Sequence, residues 1–310
     1  MFLICGEALY DVFPAEETAT GFTLDARIGG SPFNVAIGLS RLGREAALFG
    51  GISEDPLGRR LERVLREEGV DTRHVIGKAN PTTLALVGLD PAGVPHYSFY
   101  GHEAADRVLN LVDLPNLAED ITGLHFGSYS LVVEPTGSTF LTLAQQQSGQ
   151  RLISLDPNVR LNVEPDALCW RERVEAFAET ADLVKVSDED LETLFPKAGA
   201  GDVATAWHRQ GVQLVVITKG SEGALVSLRG EVFEAPGRKV ETVDTVGAGD
   251  TFQAALLCGL QELDRATRAG LRALSLEDCR RVVAFAIDAA GITCARRGAD
   301  LPRRDELPDL

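Results

Sequence analysis

The chain has 310 residues, of which 45% are hydrophobic and 25% are charged. This composition is typical of a globular protein with a sizeable core and excludes an intrinsically disordered chain. The formal net charge of −16 excludes nonspecific attraction to nucleic acid or to an anionic membrane, because both are negatively charged. An anionic ligand is still compatible with this charge, since helix N-termini and local cations can bind phosphate.

The five cysteines lie far apart in the sequence, and no two have the CxxC spacing. We therefore expect reduced, mostly buried thiols and no zinc site, as is typical of the cytosol. The N-terminal apolar run is too short for a signal peptide, and no stretch reaches the roughly 18 apolar residues that span a bilayer. These features predict a cytoplasmic protein that binds neither nucleic acid nor membrane.

Short apolar runs alternate with amphipathic segments along the chain. The apolar runs predict buried, mostly parallel strands at 2–5, 46–50, 123–126, 152–155, 183–186 and 214–218. The amphipathic segments predict helices at 34–42, 56–68, 136–147, 168–178, 188–194 and 203–209. This alternation predicts a layered α/β fold with helices on both faces of the sheet. Because we find no repeat or flexible linker, we expect one domain over 1–310.

Two regions, 9–28 and 82–100, have alternating apolar positions instead. The runs 82–90 and 94–100, joined by the turn DPAG at 90–93, predict a β-hairpin. One interpretation is an antiparallel flap that closes over an active site, and the other is an immobile edge hairpin. Phe99 alternates with polar neighbours, so its ring belongs either to an apolar lid face or to the core.

Three small residues, Gly247, Ala248 and Gly249, precede a helical run at 253–260. Small residues let the backbone approach a ligand, and the first turn of a helix offers unpaired N–H groups at the positive end of its dipole. The segment therefore predicts a site for a phosphate or a developing oxyanion. Asp250, in the first turn, is a candidate general base for a hydroxyl group. Stabilisation of the helix N-terminus is the alternative.

A second glycine-rich segment, GGSPFNVA at 29–36, lies near the N-terminus. Its glycines, Gly30 among them, bring the backbone close to a small polar ligand, and Asn34 offers both donors and an acceptor. The segment therefore predicts a site for a small polar molecule. The alternative is a glycine turn followed by a structural Asn cap.

The segments DTVGAGD at 244–250 and GGSPFN at 29–34 resemble the two motifs of the PfkB (ribokinase-like) carbohydrate kinase family. Similar segments between them extend the resemblance over nearly the whole chain. The resemblance implies a ribokinase-like three-layer α/β/α sandwich, with a mostly parallel central sheet and a small antiparallel lid at about 9–28 and 82–106. It also implies transfer of the γ-phosphoryl group of ATP to a sugar hydroxyl, with Mg²⁺ as a cofactor and Asp250 as the catalytic base.

The resemblance assigns further residues to the two substrates. Asp11 matches an aspartate that binds sugar hydroxyls, which fits an ionised carboxylate because it accepts the hydrogen bonds that hydroxyls donate. A turn aspartate is the alternative. ATP contacts are implied for Thr218, Lys219 and Gly220 and for the small residues at 247–249. Lys219 is equally compatible with a solvated surface charge.

The metal sites are also implied by the resemblance. Where the family carries Asn-x-x-Glu near the metal–triphosphate site, this chain has Ser187 and Asp190. Ser187 is carried over as an ATP contact, and Asp190 keeps a carboxylate for Mg²⁺, either directly or through water. An acidic first helical turn is the alternative for Asp190. A family site for a monovalent cation implies K⁺ beside Asp244 and Val246, and the alternative is that Asp244 orders the loop.

The segments GEALYD at 6–11, GGSPFN at 29–34 and DPNVR at 156–160 resemble bacterial fructokinases more than ribokinases or adenosine kinases. This implies D-fructose as the substrate. Arg160 either points into the sugar site or pairs with a carboxylate. Gly101 stands where fructokinases and 2-keto-3-deoxygluconate kinases often carry Arg, which weakens the sugar-acid alternative and leaves the fructokinase match imperfect. Ribokinase, nucleoside kinase and a sensor without turnover are further alternatives, and a homodimer through the lid is implied by resemblance alone.

Overall fold

The computed structural model describes residues 1–89 and 95–310, so the predicted turn at 90–93 lies outside the described residues. The strands are β1 (Phe2–Cys5), β2 (Leu9–Thr18), β3 (Gly21–Gly29), β4 (Ala46–Ser53), β5 (Val75–Lys78), β6 (Leu84–Leu89), β7 (Pro95–Tyr100), β8 (Gly123–Gly127), β9 (Leu152–Asp156), β10 (Leu183–Ser187), β11 (Leu214–Thr218), β12 (Gly223–Leu228) and β13 (Glu231–Pro236). The helices are α1 (Ser31–Arg41), α2 (Pro56–Glu67), α3 (Thr136–Gln147), α4 (Ala167–Ala178), α5 (Asp188–Leu194), α6 (Ala200–Gln210), α7 (Ala248–Glu262), α8 (Arg268–Arg272) and α9 (Leu276–Cys294).

The main sheet has its strands in the order β13-β12-β11-β10-β9-β8-β1-β4-β5. From β11 to β5 all neighbours are parallel, whereas β12 and β13 pair antiparallel at one edge. Strands β4 and β5 lie on one side of β1, and strands β8 to β11 lie on the other side. The strand order therefore reverses between β1 and β8, and open α/β sheets bind ligands at the carboxyl ends of strands beside such a reversal.

Helices cover both faces of the main sheet because successive strand residues point to opposite sides. In β1, Phe2 and Ile4 pack into a core with residues of α1, α7 and α9. Leu3 and Cys5 pack into a second core with residues of α3, α4 and α6. Both cores consist of buried apolar side chains, which explains why the strands read as continuous apolar runs. The expected three-layer α/β/α sandwich is confirmed.

A second, smaller sheet has the strand order β3-β2-β6-β7. The pairs β2–β3 and β6–β7 are antiparallel, which confirms the predicted hairpin, but β2 and β6 are parallel. The parallel pairing arises because a crossover, not a tight turn, connects the two hairpins. Strand β2 starts four residues after β1 ends, so this small sheet extends directly from the carboxyl end of the main sheet.

All six predicted strands, all six predicted helices and the helical run at 253–260 are present. Six of the twelve predicted strands and helices are one to three residues longer than predicted, and α6 is four residues longer. Strands β5, β12 and β13 and helices α8 and α9 are absent from the prediction. Two of these strands form the edges of the main sheet, where half-exposed residues interrupt the apolar run that marks a buried strand. In the described parts of the chain, no helix combines the length and the apolar character needed to cross a membrane.

Candidate active site

A cavity of about 530 Å³ lies at the carboxyl ends of β1, β8 and β9, beside the reversal in strand order. We refer to it as the first cavity. All six residues that the sequence assigns to sugar binding line it: Asp11, Gly30, Asn34, Phe99, Arg160 and Asp250. Residues from both ends of the chain are thus gathered around one space, whose volume is in the range of small-molecule sites.

Asp250 lies in the first turn of α7 and is 8% exposed. Its Oδ1 accepts a hydrogen bond of 2.6 Å from the Ser31 hydroxyl, and its Oδ2 accepts one of 2.7 Å from the Asn34 amide. Both donors belong to the start of α1, so two helix N-termini meet at this carboxylate. Hydrogen bonds to a charged group are about twice as strong as neutral ones, and these two fix the orientation of the candidate base.

The turn before α7 leaves its backbone N–H groups close to the cavity. Gly247 has φ 78°, a left-handed conformation that favours glycine, and a Cβ there would lie 2.6 Å from the Ala299 Cβ. Gly247, Gly249 and Asp250 all line the first cavity. The unpaired N–H groups of a helix start suit an anion, so carboxylate and anion site adjoin each other.

Gly30 precedes α1 with φ 106°, and a Cβ at this position would lie 2.7 Å from the Glu7 carbonyl oxygen. A glycine is therefore required both by conformation and by the close approach of the chain after β1. The Glu7 side chain is also part of the first cavity, is 1% exposed and accepts a hydrogen bond from the Ser130 hydroxyl. Burial raises the pKa of Glu7 to about 7.

Asp11 enters the first cavity from β2 of the small sheet. Burial raises the pKa of the Asp11 carboxyl to about 6; the Arg160 guanidinium lowers it and the Asp250 carboxylate raises it further. Arg160 thus lies within electrostatic reach of Asp11 and lines the cavity, while its Nη1 donates to the carbonyl of Val159 at 2.9 Å. Arg160 is therefore available to a ligand in the first cavity.

Phe99, from β7, closes the side of the first cavity beneath the small sheet. Its ring lies edge-on to that of Tyr129, with 5.9 Å between the ring centroids. Tyr129 is 1% exposed and donates a hydrogen bond of 2.8 Å to the buried Asp106 carboxylate. The aromatic pair is an apolar wall with a fixed position, because Asp106 anchors one of its members.

A second cavity, of about 540 Å³, lies on the other side of the turn before α7. Its lining includes Thr218, Gly220, Val240, Thr245, Ala248, Gly249, Ile287 and Ala290. Polar backbone near Gly249 at one end and apolar side chains from α9 at the other suit a ligand with a charged end and a flat apolar end. Thr245 and Gly249 line both cavities, so the two spaces meet at this turn.

The structure supports the alternative in which the Lys219 side chain is a surface charge. Its Nζ lies 3.4 Å from the Glu234 Oε1 on β13, outside the second cavity, whereas its neighbours Thr218 and Gly220 line that cavity. Side chains alternate in direction along an extended chain. The unpredicted hairpin of β12 and β13 supplies the carboxylate that attracts this ammonium group.

Ser187 ends β10 and caps α5, where its hydroxyl accepts a hydrogen bond of 3.0 Å from the Asp190 N–H. It lines neither of the two cavities described above. Asp190 accepts a hydrogen bond of 3.1 Å from the Val159 N–H, and burial raises the pKa of Asp190 while the Lys185 ammonium lowers it. The described residues contain no group of three or more His, Cys, Asp or Glu that could hold a metal. A single carboxylate fits an Mg²⁺ ion held mainly by phosphates and water.

Asp244 has both carboxylate oxygens in hydrogen bonds to backbone. Its Oδ1 accepts from the Val246 N–H at 3.1 Å and its Oδ2 from the Gly298 N–H at 2.8 Å. These contacts connect the turn before α7 to the loop after α9. They support the alternative in which Asp244 orders the loop, and each of its oxygens keeps a further lone pair for a cation.

Two residues near the site, Ser31 and Lys185, are absent from the sequence prediction, although the sequence contains an indication of each. Ser31 carries a hydroxyl group inside GGSPFN, one residue after Gly30. Lys185 interrupts the apolar run of β10 and is nevertheless buried, 2.8 Å from the Asp156 Oδ2. A charged residue inside a buried strand is rare unless it is paired, so this interruption marks Lys185 as a residue of interest.

Comparison with known proteins identifies the family and the fold. Residues 2–306 match the family model described as pfkB family carbohydrate kinase. The chain is 40% identical over 261 residues to the fructokinase of Rhizobium leguminosarum bv. trifolii, a match that covers 84% of this chain and 80% of the relative. It superposes on the fructokinase of Xylella fastidiosa with bound ATP with a TM-score of 0.90 at 26% identity, covering 98% and 96% of the two chains. For the Vibrio cholerae O395 fructokinase in its fructose, ADP and calcium ion bound form, the TM-score is 0.81 at 27% identity, with 96% and 94% covered.

Proposed function

Because this chain belongs to the pfkB family of carbohydrate kinases, we propose that it transfers the γ-phosphoryl group of ATP to a hydroxyl group of D-fructose. The similarity to fructokinases supports the choice of sugar, since relatives with bound ATP and with bound fructose and ADP have the same fold. One observation carries the proposal: the Asp250 carboxylate, oriented by Ser31 and Asn34, lies beside the turn at which the two cavities meet.

The sugar binds in the first cavity. Asp11 and Asn34 supply an acceptor and an amide to the sugar hydroxyls, and Gly30 lets the backbone come close to the ring. Arg160 adds a cation at the open side, and Phe99 adds an apolar surface from the small sheet. Since β2 and β7 belong to that sheet, we propose that it acts as a lid over the sugar, together with residues up to 106. Exclusion of water by the lid prevents hydrolysis of ATP.

ATP binds in the second cavity, with its adenine end towards the apolar residues of α9 and its phosphates towards Gly249. Asp250 accepts the proton of the attacking hydroxyl, and general-base catalysis of this kind contributes about 10²–10⁴-fold. The N–H groups at 247, 249 and 250 stabilise negative charge on the transferred group, whereas that of Ala248 donates to the Thr245 carbonyl oxygen at 3.2 Å. Asp190 is the candidate residue for Mg²⁺, and Asp244 with the Val246 backbone for K⁺. When bound, Mg²⁺ would neutralise phosphate charge.

We further propose a cytoplasmic, dimeric, single-domain enzyme. All five cysteines are free thiols, which suits a reducing compartment. The small sheet exposes Phe22, Leu24 and Tyr100, with relative exposures between 52% and 63%. Exposed apolar side chains on an open sheet favour contact with a second copy of the chain. Analytical ultracentrifugation of wild type and of Phe22→Ser tests the dimer, which the variant should weaken.

An ADP-release assay across a sugar panel tests the function. D-fructose, D-ribose, 2-keto-3-deoxygluconate and adenosine are offered at equal concentrations with ATP and Mg²⁺, and the product of each positive reaction is identified by ³¹P NMR. We expect the highest kcat/KM with fructose. A higher kcat/KM with another sugar would identify that sugar as the substrate, and the proposed reaction would stay the same. Binding of ATP and fructose without any ADP release would identify the protein as a sensor and contradict the kinase.

A further inference from the structure

Arg107 is a largely buried cation that packs against the wall of the first cavity. It ends the short helical turn Ala105–Arg107, and its side chain is 16% exposed. Its Cζ lies 5.0 Å from the centroid of the Tyr129 ring, which is within the range of a cation–π contact. Tyr129 lines the first cavity, whereas Arg107 does not. The guanidinium group therefore contacts the wall of the sugar site from outside the cavity.

The same guanidinium group lies against Gly101, the buried residue that directly follows β7. A Cβ at position 101 would lie 2.6 Å from the Arg107 Nη2 and 2.8 Å from its Cζ. The φ angle of Gly101 lies outside the left-handed region that favours glycine. The backbone conformation alone would therefore accept a side chain, and the space that this side chain would need is filled by the guanidinium group.

Packing and charge, not hydrogen bonds, hold this guanidinium group. In residues 1–89 and 95–310, neither Nε nor Nη2 of Arg107 has a hydrogen-bond partner, and both atoms are buried. The Asp106 Oδ2 lies 3.8 Å from Nε, which is close enough for charge attraction but too long for a good hydrogen bond. Buried N–H groups without acceptors are rare because they lose their hydration without replacement. A residue with this cost calls for a functional explanation.

Asp106, the neighbour of Arg107, is 2% exposed and connects two parts of the structure. It accepts a hydrogen bond of 2.5 Å from the Thr83 hydroxyl and one of 2.8 Å from the Tyr129 hydroxyl. Thr83 directly precedes β6, just as Gly101 directly follows β7. The two outer ends of the β6–β7 hairpin thus contact Asp106 and Arg107, and both of these residues contact Tyr129.

We propose that Arg107 is a positioning residue for the sugar: its guanidinium group, packed against Gly101 and Tyr129, fixes the end of β7 relative to the Tyr129 ring and so holds Phe99 at the first cavity. The inference rests on the proposed kinase function and adds a residue to that site. Phe99 and Tyr129 line the first cavity but not the second. Loss of the guanidinium group therefore weakens the binding of the sugar and leaves the binding of the nucleotide unchanged.

The test approaches the contact from both sides. Arg107→Leu keeps the apolar part of the side chain and removes the guanidinium group, whereas Gly101→Ala keeps the guanidinium group and displaces it. The double variant combines the two changes. Arg209→Leu and Gly201→Ala are the matched controls, because Arg209 is exposed and a Cβ at Gly201 would meet no atom within 4 Å. Each protein is measured for Tm, for kcat and both KM values, and for the Kd of fructose and of ADP by calorimetry.

We expect Arg107→Leu to raise the KM and the Kd for fructose about 5- to 30-fold, the range that corresponds to a cation–π contact of about 1–2 kcal/mol. The Kd for ADP should not change. Gly101→Ala should raise the Kd for fructose in the same direction. The double variant should bind fructose no more weakly than Arg107→Leu does, because no guanidinium group is then left for the new Cβ to displace, and residues in contact are not additive. Both controls should bind fructose like the wild type.

Two results would overturn the role of Arg107: a wild-type Kd for fructose in Arg107→Leu, or a double variant in which the two single effects simply add. Equal weakening of fructose and ADP binding together with a lower Tm would also overturn it, in favour of a purely structural residue. If Arg107→Leu does not fold, Gly101→Ala tests the same contact with both charges retained. Failure of the proposed function looks different, because the wild type itself would then release no ADP with fructose. The Kd comparison does not depend on turnover, and it would then use the sugar from the panel that the wild type binds most tightly.

Discussion

The Asn34 amide donates a hydrogen bond of 2.7 Å to the Asp250 carboxylate, although 216 residues separate the two in sequence. Ser31 donates to the other oxygen of the same carboxylate. The two motifs of the family are therefore one structural unit, in which the start of α1 orients the base at the start of α7. A residue that contacts both sugar and base can position the attacking hydroxyl relative to its proton acceptor.

The first prediction concerns the base itself. Asp250→Asn keeps the size of the side chain but removes its capacity to accept a proton, so kcat should fall by at least about 10²–10⁴-fold. Circular dichroism and Tm should stay close to those of the wild type. Asp305→Asn, on the exposed surface, is the matched control and should retain full activity. Near-normal turnover of Asp250→Asn would remove this residue from the role of base.

The second prediction concerns Ser31, which only the structure connects with Asp250. Ser31→Ala removes one of the two hydrogen bonds to the carboxylate, and a hydrogen bond to a charged group contributes about 1.5–3 kcal/mol. We expect kcat to fall by about 10- to 100-fold. The KM for ATP should not change, because Ser31 does not line the second cavity. The exposed Ser138→Ala is the control, and an unchanged kcat in Ser31→Ala would show that Asn34 alone suffices to orient the base.

The third prediction is a pH dependence of sugar binding. Asp11, whose pKa burial raises to about 6, accepts hydrogen bonds from sugar hydroxyls on both oxygens only when it is ionised. The KM for fructose should therefore rise as the pH falls through about 6. Glu7 also titrates in this range, with a pKa of about 7, so the comparison must be between wild type and Asp11→Asn. The variant should bind fructose more weakly at pH 8 and lose the part of the pH dependence that belongs to Asp11.

The raised pKa of Asp11 also predicts a pH dependence of stability. Stability should fall as the pH rises, whereas sugar binding should improve. The folded protein holds the Asp11 proton up to about pH 6, whereas the unfolded chain releases it near pH 4. The neutral form is favoured in the fold, so the contribution of Asp11 to stability is fully present below about pH 4 and is lost as the pH rises through about 6. Asp11→Asn should thus have a higher Tm than the wild type at pH 8, and the difference should disappear at pH 4. If wild type and Asp11→Asn had the same Tm at pH 8 as well as at pH 4, this would contradict the raised pKa of Asp11.

The parts of the site that the sequence predicts are those that local chemistry fixes. Gly30, Asn34 and Asp250 belong to short motifs in which glycine, helix start and polar side chain follow one another, so each of the three can be assigned from its own segment. Asp11 is assigned only by the resemblance to the family. The way in which they meet depends on strand order, because only the reversal between β1 and β8 brings the two ends of the chain to one cavity.

The parts that the sequence does not predict depend on neighbours far away in the chain. The direction of the Lys219 side chain follows from Glu234 on the unpredicted strand β13, and the oxygens of Asp244 accept hydrogen bonds from backbone that includes Gly298. The Lys185–Asp156 pair exists because β9 and β10 are adjacent. In each case a polar group takes the partner that burial and topology place nearest, and no local pattern carries that information.

The last prediction separates the space around Gly30 from its backbone conformation. Gly30→Ala and Gly43→Ala both place a Cβ on a residue with positive φ, at 106° and 76°, and each should lose at least about 1–2 kcal/mol from this strain. The loss from strain should be larger at position 30, where φ 106° and ψ 120° lie outside the left-handed helical conformation. Only at position 30 would the Cβ also meet an atom, the Glu7 carbonyl oxygen at 2.7 Å; at position 43 nothing lies within 4 Å. Gly30→Ala should therefore lower Tm more than Gly43→Ala does.

Gly30→Ala should also raise the KM for fructose because β1 and α1 must separate inside the first cavity, whereas the KM for ATP should stay constant in both variants. Equal losses of Tm with an unchanged KM for fructose would mean that Gly30 serves only the backbone turn and that the sugar does not depend on the close approach between Glu7 and Gly30.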